Sequence, residues 1–518
     1  MTANSSTAAA KTARAAAAPS AEEHVDVLIV GAGLSGIGAG AHLTMSCPDK
    51  TFAIFESRES IGGTWDLFRY PGIRSDSDMF TLGYSFAPWK SAKAIADGPS
   101  ILSYFKETAR DYGVDQKIRF RHRVLRAEWS TEQALWTVIA ERPNADGAGT
   151  ETVQVTCTFL FMCSGYYRYD EGYTPDFKGT ERFRGPIVHP QHWPEDLDYK
   201  DKRVVVIGSG ATAVTLVPSM AEDAAHVTML QRTPTYIVAL PGKDAIAELL
   251  HKFLPHKLLY PIVRWKNVLL GLLSFQLSRR RPELMKGLLR RGLERSLPAG
   301  YDIDTHFRPP YNPWDQRLCV VPDGDLFKAI HRDDVDIVTD RIDTFTETGI
   351  KLESGKELAA DIIITATGLQ MLALGGMEVI VDDEKVQLNE TVGYKGMMFS
   401  GVPNLAAAIG YTNASWTLKC DLVCQYVTRL LRHMDEHGMR QVTPRWTDPS
   451  LPETPFVDLS SGYVLRAVDQ FPRQASREPW RLYQNYLRDV FLIKRSPLED
   501  EALAFTNPAP ARSERRSA

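Results

Sequence analysis

The sequence predicts an α/β fold with two Rossmann-like dinucleotide-binding domains, the second carrying a helical insertion. Three observations point to it. One apolar run ends in Gly31-Ala-Gly33-Leu34-Ser35-Gly36 and a second ends in Gly208-Ser209-Gly210-Ala211-Thr212-Ala213. Between about 243 and 297, twelve Lys or Arg stand against four Asp or Glu on an apolar pattern of helical period. A chain of 518 residues is also too long for a single core.

The first element begins at Val25. Val27, Leu28, Ile29 and Val30 form the near-continuous apolar run of a strand buried on both faces, and an Ala-rich helix follows the turn. Gly31 permits the tight turn, Gly33 lets a pyrophosphate approach the backbone, and Gly36 lets helix pack on strand. Leu34 and Ser35 open the helix, whose free N–H groups face the phosphate. A second strand, Thr51 to Phe55, delivers Glu56 twenty residues past the last glycine. There a carboxylate accepts hydrogen bonds from ribose hydroxyls, which favours an unphosphorylated adenosine ribose such as that of FAD. Residues 124–163 alternate as strands with Trp129 and Trp136 inside, and Thr158–Gly165 closes the first half of this domain.

The second turn follows the apolar run Val204–Ile207, with Ala213 in the third small position that the pattern allows. The strand after it, Val227–Leu230, delivers Gln231-Arg232-Thr233 where the first delivered a glutamate. A guanidinium there suits the 2′-phosphate of NADPH, so Arg232 and Thr233 join Gly208–Ala213 as NADPH-binding residues. A surface salt bridge is the plainer alternative for Arg232. Pro255, Pro261 and Pro282 break the helical insertion, which reads either as a lid or subdomain packed on the NADP domain or as a basic amphipathic surface for an anionic membrane.

Composition excludes several classes. Hydrophobic residues at 44 %, charged residues at 24 % and a net charge of −4 are ordinary for a soluble enzyme and argue against nucleic-acid binding. Six scattered cysteines without a CxxC pair point to a reducing compartment, with no disulfide framework and no metal site. Cys420 and Cys424 share a helical face as small buried residues. Residues 1–22 read as a disordered tail without a secretory core, residues 501–518 as a second tail, and no window reaches the length of a membrane span. The expected location is cytoplasmic, with membrane association through the insertion left open. Oligomeric state is not legible.

From Phe183 to Pro194 the chain reads FRGPIVHPQHWP, in which Phe183, Gly185, His189, Trp193 and Pro194 fit F-x-G-x-x-x-H-x-x-x-W-P. Physically this is a linker between two nucleotide domains: glycine permits a tight path, the aromatics anchor it, and His189 can hydrogen-bond across the joint. An ordinary buried aromatic loop is the alternative. By these residues, and by Gly62-Gly63-Thr64-Trp65 and Arg69-Tyr70-Pro71-Gly72, the chain resembles type I Baeyer–Villiger monooxygenases, the class B flavoprotein monooxygenases, over about 24–500.

The resemblance implies FAD and NADPH as cofactors, molecular oxygen as co-substrate, and a flavin 4a-peroxide that inserts oxygen beside the carbonyl of a long-chain or aromatic ketone. It also implies oxidation of thioether or thioamide sulfur. Gly63, Thr64, Trp65, Tyr70 and Asp76 fall where the family meets the flavin; the other reading of Asp76 is a turn or capping residue. Arg317 takes the place of the catalytic arginine, a permanent cation that keeps the peroxide anionic, with Asp76 holding it by a charged hydrogen bond. Gln316 stands where many relatives carry lysine. Asp361–Gly368, with Thr367 and Gly368 near the nucleotide, returns the chain to the FAD domain in this superfamily, and Asn413, Ser415 and Trp416 are candidates for lining the substrate pocket or for helix capping and burial.

The expected organisation is therefore a first FAD part over 23–165, a linker over 166–200, an NADP domain over 201–360 and a second FAD part over 361–500. A monooxygenase acting mainly on sulfur or nitrogen, and a nucleotide-binding flavoprotein without turnover, share both turns and stay open. A pyridine-nucleotide disulfide reductase shares the layout but needs a redox cysteine pair that is missing here.

Overall fold

Val27, Leu28 and Ile29 are fully buried, and their strand, Glu23–Val30, lies between two parallel neighbours, Phe52–Phe55 and Thr150–Met162. A strand covered on both faces needs apolar residues at every position, which is why the run shows no alternation. The structure is a computed structural model that describes residues 23–508 except 92, 145 and 458; the expected tail over 1–22 lies outside the described residues.

The sheet continues through antiparallel Leu135–Pro143 and Arg123–Ser130 to Glu378–Val381, and ends at its other edge in Ile118–Arg119. Trp129 and Trp136 pack against one face. On the other face lie the helices Leu34–Ser46 and Trp416–Glu436, the latter running five residues past the expected Leu431.

A second, parallel sheet has the order Val335–Thr339, His226–Gln231, Arg203–Ile207, Ile362–Thr365, Ile187–Val188. Two expectations change here. Ile362–Thr365 does not return the chain to the first sheet but pairs with Arg203–Ile207 in the second, and the return is made by Glu378–Val381. The linker also contributes an edge strand, Ile187–Val188, to the second sheet. An apolar run of four fits the centre of either parallel sheet, and periodicity does not say which. A third correction concerns the C-terminal tail: Leu503–Thr506 pairs antiparallel with Gln441–Pro444, so order extends into the expected tail, whose residues 509–518 lie outside the described residues.

The insertion forms three helices, Ala245–His251, His256–Arg280 and Pro282–Ser296. Pro255 and Pro282 flank helix starts as expected, but Pro261 sits inside the long helix without ending it. Tertiary packing overrides the local signal: Leu259, Tyr260 and Val263 are buried in the core of the first body, and Arg264 donates from Nη1 to the carbonyls of Phe80 at 2.8 Å and Gly83 at 2.7 Å. The insertion, expected on the NADP domain in the plainer reading, spans both bodies, with Leu293 and Leu297 in the second core.

All six cysteines are buried and free. At Gly185 an added Cβ would stand 2.2 Å from the carbonyl oxygen of Asp361, the residue that leads into Ile362–Thr365. The linker therefore joins the second sheet only if this position has no side chain. Gly185→Ala is expected to cost about 1–3 kcal/mol, read as a lower apparent melting temperature of the purified protein; an unchanged melting temperature would remove this close approach as a constraint.

Candidate functional site

Both glycine turns stand at the C-terminal ends of parallel strands, where open α/β sheets bind ligands. Gly31 has φ +104°, and a Cβ there would meet the carbonyl oxygen of Cys163 at 2.6 Å. At Gly36 a Cβ would lie 1.8 Å from the carbonyl oxygen of Gly31, so the helix Leu34–Ser46 is pressed onto the strand end. No side chain caps that helix, and its N-terminus opens into a cavity of about 710 Å³. Uncapped N–H groups facing a cavity fit a phosphate.

Glu56, on the neighbouring strand end, is almost wholly buried at 4 % exposure. It accepts from the backbone N–H of Ala32 at 2.7 Å and of Arg58 at 2.9 Å, and it lines the same cavity. Two backbone donors hold the carboxylate in place while its remaining lone pairs stay available to ribose hydroxyls.

The cavity gathers Gly31, Gly33, Leu34, Ser35, Glu56, Gly63, Thr64, Trp65, Tyr70, Asp76, Ala211, Arg317 and Trp416 among its walls. Residues separated by hundreds of positions thus meet in one space. Thr64 Oγ1 lies 3.1 Å from the hydroxyl of Tyr169, and the Trp416 indole donates to Ser35 Oγ at 3.0 Å, linking the helix start at Trp416 to the first turn. Tyr70, from the first body, packs into the core of the second near Thr212 of the second turn; burial pushes its hydroxyl up to about 12.

Arg317 faces the cavity and is otherwise enclosed by protein. Burial by itself lowers its pKa, but the nearby charge of Asp76, with Tyr166, Tyr167 and Tyr463 around it, holds the guanidinium above its ordinary value. It is a permanent cation. The expected charged hydrogen bond between Asp76 and Arg317 is not formed: among the described residues no carboxylate makes an ion pair with Arg317. Asp76 acts through its field across the cavity. Nor does Asp76 cap the following helix, since Asp78 does so by accepting from the N–H of Thr81. Burial also raises the Cys319 thiol to about 12 beside these two charges.

The second turn meets this cavity through Ala211, and its other residues stand outside the wall. Gly210 and Ala211 are exposed, a Cβ at Gly210 would meet nothing within 4 Å, and no side chain caps the helix Ala211–Met220. Ser209 Oγ donates to the carbonyl of Thr233 at 2.9 Å, which fixes the turn against the strand end that presents Arg232. Arg232 is exposed and has no acidic partner among the described residues, so the salt-bridge alternative finds no support.

Several expected residues stand outside the cavity wall. Gly208, Ser209, Gly210, Thr212, Ala213, Arg232 and Thr233 belong to the second turn, and Gly36 and Ala213 are packing positions. Thr367 and Gly368 adjoin the linker: Thr367 Oγ1 donates to the carbonyl of Tyr173 at 2.6 Å, and Leu369 takes the wall position. Asn413 donates to the carbonyl of Gln484 at 2.9 Å and Ser415 Oγ bonds Thr81 Oγ1 at 2.6 Å, so of the three expected pocket residues only Trp416 reaches the wall, joined by Tyr411 and Ala414.

The five fingerprint residues of the linker also lie off the cavity, although Tyr166, Tyr167, Tyr169, Asp170 and His192 of the same segment line it. Phe183 is buried with Val205, Ile207 and Ile363, and Trp193 packs on the second core beside Pro194. His189 accepts at Nδ1 from the N–H of Gln191 at 3.2 Å, so its Nε2–H donates to the carbonyl of Gly368 at 3.1 Å. The sequence reading missed Gln191, whose side-chain N–H groups donate to the carbonyls of Arg168 and Tyr169 at 2.9 and 3.0 Å. It also missed Arg74, which crosses to Asp325 of the second body, and the tyrosines around Arg317. A polar residue inside an aromatic fingerprint was the only signal for Gln191. Separately, His433, His437 and Glu499 come together near the C-terminal end of the helix Trp416–Glu436, where the sequence reading placed no ligand group.

Comparison with known proteins supplies the context. Residues 94–434 match a family described as flavin-binding monooxygenase-like, and residues 29–93 match an NAD(P)-binding Rossmann-like domain. The FAD-containing monooxygenase EthA of Mycobacterium tuberculosis (strain ATCC 25618 / H37Rv) is 56 % identical over 490 residues, covering 94 % of this chain and 99 % of that protein. Among solved structures, oxidized steroid monooxygenase bound to NADP matches with a TM-score of 0.71 at 23 % identity, covering 93 % of this chain and 99 % of the other. OTEMO in complex with FAD and NADP matches with a TM-score of 0.67 at 23 % identity, covering 82 % and 88 %. At that identity the structures speak for the fold.

The geometry at His189 carries a pH dependence. Burial lowers its pKa below the unfolded value of about 6.5, although the bond to Gly368 opposes the shift. The unfolded chain therefore binds more protons at His189, its contribution to stability is complete above about 6.5, and it is lost as pH falls below that value. Acidification is expected to lower the melting temperature less in His189→Gln than in the parent; parallel acid profiles would show that His189 is not the titrating group.

Proposed function

Because the chain belongs to the flavin-binding monooxygenase-like family, we propose that it binds FAD in the cavity at the first turn and NADPH at the second. With molecular oxygen it inserts one oxygen atom beside a ketone carbonyl, giving an ester or lactone. NADPH supplies the electron pair, solvent supplies a proton, and the second oxygen atom leaves as water. The observation that supports this best is Arg317, a cation that cannot be deprotonated, facing the same cavity as the first turn without a carboxylate in contact.

FAD, when bound, supplies the activation of oxygen. The protein's part is position, charge and exclusion of water. The N–H groups at the start of Leu34–Ser46 receive the pyrophosphate and Glu56 the adenosine ribose. Arg232 receives the 2′-phosphate, and because Gln316 offers no second cation the interaction depends on Arg232. Arg317 favours the anionic form of a reacting oxygen and stabilises the negative charge that develops on the former carbonyl oxygen. Asp76, out of bonding reach, leaves the guanidinium's donors free for that charge.

A sulfur-directed reaction would use the same cavity, because the oxygen transferred is the cofactor's in both, acting as a nucleophile toward a ketone carbonyl and as an electrophile toward sulfur. A thiol–disulfide reductase is opposed by six buried cysteines, among them Cys420, whose thiol burial pushes up to about 12.

The test is mass spectrometry of products after the FAD-loaded protein receives NADPH, heavy-isotope oxygen, a medium-chain ketone and a thioether together. One heavy atom in an ester is expected; label in sulfoxide alone would assign the protein to sulfur oxidation, and peroxide alone would leave no oxygen transfer to these substrates. Arg317→Ala is expected to leave FAD reduction by NADPH in place while ester formation falls about 100- to 1,000-fold; retained ester formation would remove Arg317 from the chemistry. Arg232→Gln is expected to raise KM for NADPH about 10- to 100-fold with little change for NADH, and an equal effect on both would free Arg232 of the phosphate role.

A further inference from the structure

Eleven of the eighteen large apolar side chains that are exposed among the described residues belong to the insertion. On the helix His256–Arg280 they form one line: Leu258, Ile262, Trp265, Leu269 and Leu273, spaced by four or three residues and each 40–65 % exposed. That spacing keeps them on a single face about 22 Å long. Exposed Leu249 on the preceding helix, Phe253 in the turn between the two, and Leu284 and Leu288 on the following helix enlarge the surface. Such a cluster is far from the scattered exposed apolar residues of an ordinary soluble surface.

Charge says what it faces. All four acids of the stretch are neutralised within the structure, Asp244 by Lys266, Glu248 by Lys243, Glu283 by Lys286 and Glu294 by Arg290. By contrast Lys252 and Lys257 before the stripe, and Arg280 and Arg281 after it, are exposed and have no acidic partner among the described residues. An apolar face with free cations at both ends complements an apolar layer beneath an anionic one.

We propose that this face seats the protein on an anionic phospholipid bilayer, with the long helix lying in the interface and not crossing it. By length and composition the helix could span a membrane. Its other side forbids that: Arg264 is 6 % exposed and bound to the carbonyls of Phe80 and Gly83, and Asn267 donates to Asp78 at 2.8 Å. Pulling the helix through a bilayer would strand that guanidinium in hydrocarbon. Lying flat leaves every one of these bonds intact and buries only the outer face.

The same helix connects the lipid face to the site. Val268 and Leu272 pack with Tyr411 and Ala414, which line the cavity, so the bilayer would lie about one helix diameter, ~10 Å, from the cavity wall. At its C-terminal end Arg279 bonds Asp315 at 2.7 Å, two residues before Arg317. The chemical class this arrangement serves is a water-insoluble substrate drawn from the lipid phase, though the docking itself does not depend on which reaction the cavity performs.

The test is co-sedimentation of the FAD-loaded full chain with phosphatidylglycerol–phosphatidylcholine vesicles and with phosphatidylcholine alone. Binding to the anionic vesicles is expected to be about tenfold or more tighter and to weaken with salt. The variant Ile262→Glu/Leu269→Glu/Leu273→Glu is expected to stay in the supernatant while keeping the parent's melting temperature and its turnover of a water-soluble ketone. The proposal is overturned if the parent does not sediment with anionic vesicles, or if the triple variant sediments as well as the parent. It is equally overturned if the triple variant abolishes a lipid-free self-association of a parent that ignores vesicles, which would assign the face to a second copy of the chain.

Discussion

Arg317 has to be kept charged in an enclosed space without a carboxylate in contact, and much of the surrounding structure follows from that requirement. Burial alone weakens a cation, and an isolated buried charge is costly. Here the cost is offset by Asp76 acting across the cavity, among surrounding tyrosines of which Tyr167 and Tyr463 are kept protonated by burial. A salt bridge would have solved the same problem more cheaply, but it would have occupied the donors. The loop that carries Arg317 is held from outside instead, where Asp315 takes the Arg279 guanidinium and the ring of Trp314 meets Phe275 at 5.6 Å.

The second constraint is alignment of two bodies that each bind one end of the chemistry. The fingerprint segment supplies it from a distance. Ile187–Val188 adds an edge to the second sheet, Gly185 slides past Asp361, and His189 ties the segment to Gly368. From the same segment Gln191 grips the carbonyls of Arg168 and Tyr169, and Tyr169 touches Thr64 behind the first turn. A displacement of the linker is therefore felt at both nucleotide turns, although none of its five fingerprint residues lines the cavity. Tyr70 and Arg74 make the reciprocal connection, reaching from the first body to Thr212 and Asp325 of the second.

Local rules and tertiary packing compete most openly in the insertion. Pro261 removes a helix hydrogen bond, yet the helix continues through it because Tyr260, Val263 and Arg264 on the buried side are fixed to the first body. The buried Lys419–Asp489 pair at 2.8 Å, with Tyr411 donating to Asp489 at 2.6 Å, holds the neighbouring cavity wall in the same manner. Both are interior charges that persist because every partner is present, and removal of one member would leave the other stranded.

By itself the sequence determined what local chemistry dictates: two strand–turn–helix units in which Gly31, Gly36 and Gly208 admit no Cβ, Glu56 and Arg232 at the following strand ends, the buried tryptophans, and the helical insertion with its excess of cations. Each of these is legible because its cause lies within a few residues. Tertiary structure alone decided that Ile362–Thr365 joins the second sheet, since a short apolar run pairs equally well in either parallel sheet. It also decided that Asp76 stands off from Arg317, that Asn413 and Ser415 turn to Gln484 and Thr81, and that Leu503–Thr506 is a strand. Those outcomes depend on partners hundreds of residues away in some cases, and distance in space has no signature in a local pattern. The outer stripe of the insertion is the same kind of case: its apolar period was visible from the start, but which side would be buried depended on where Arg264 found its carbonyls.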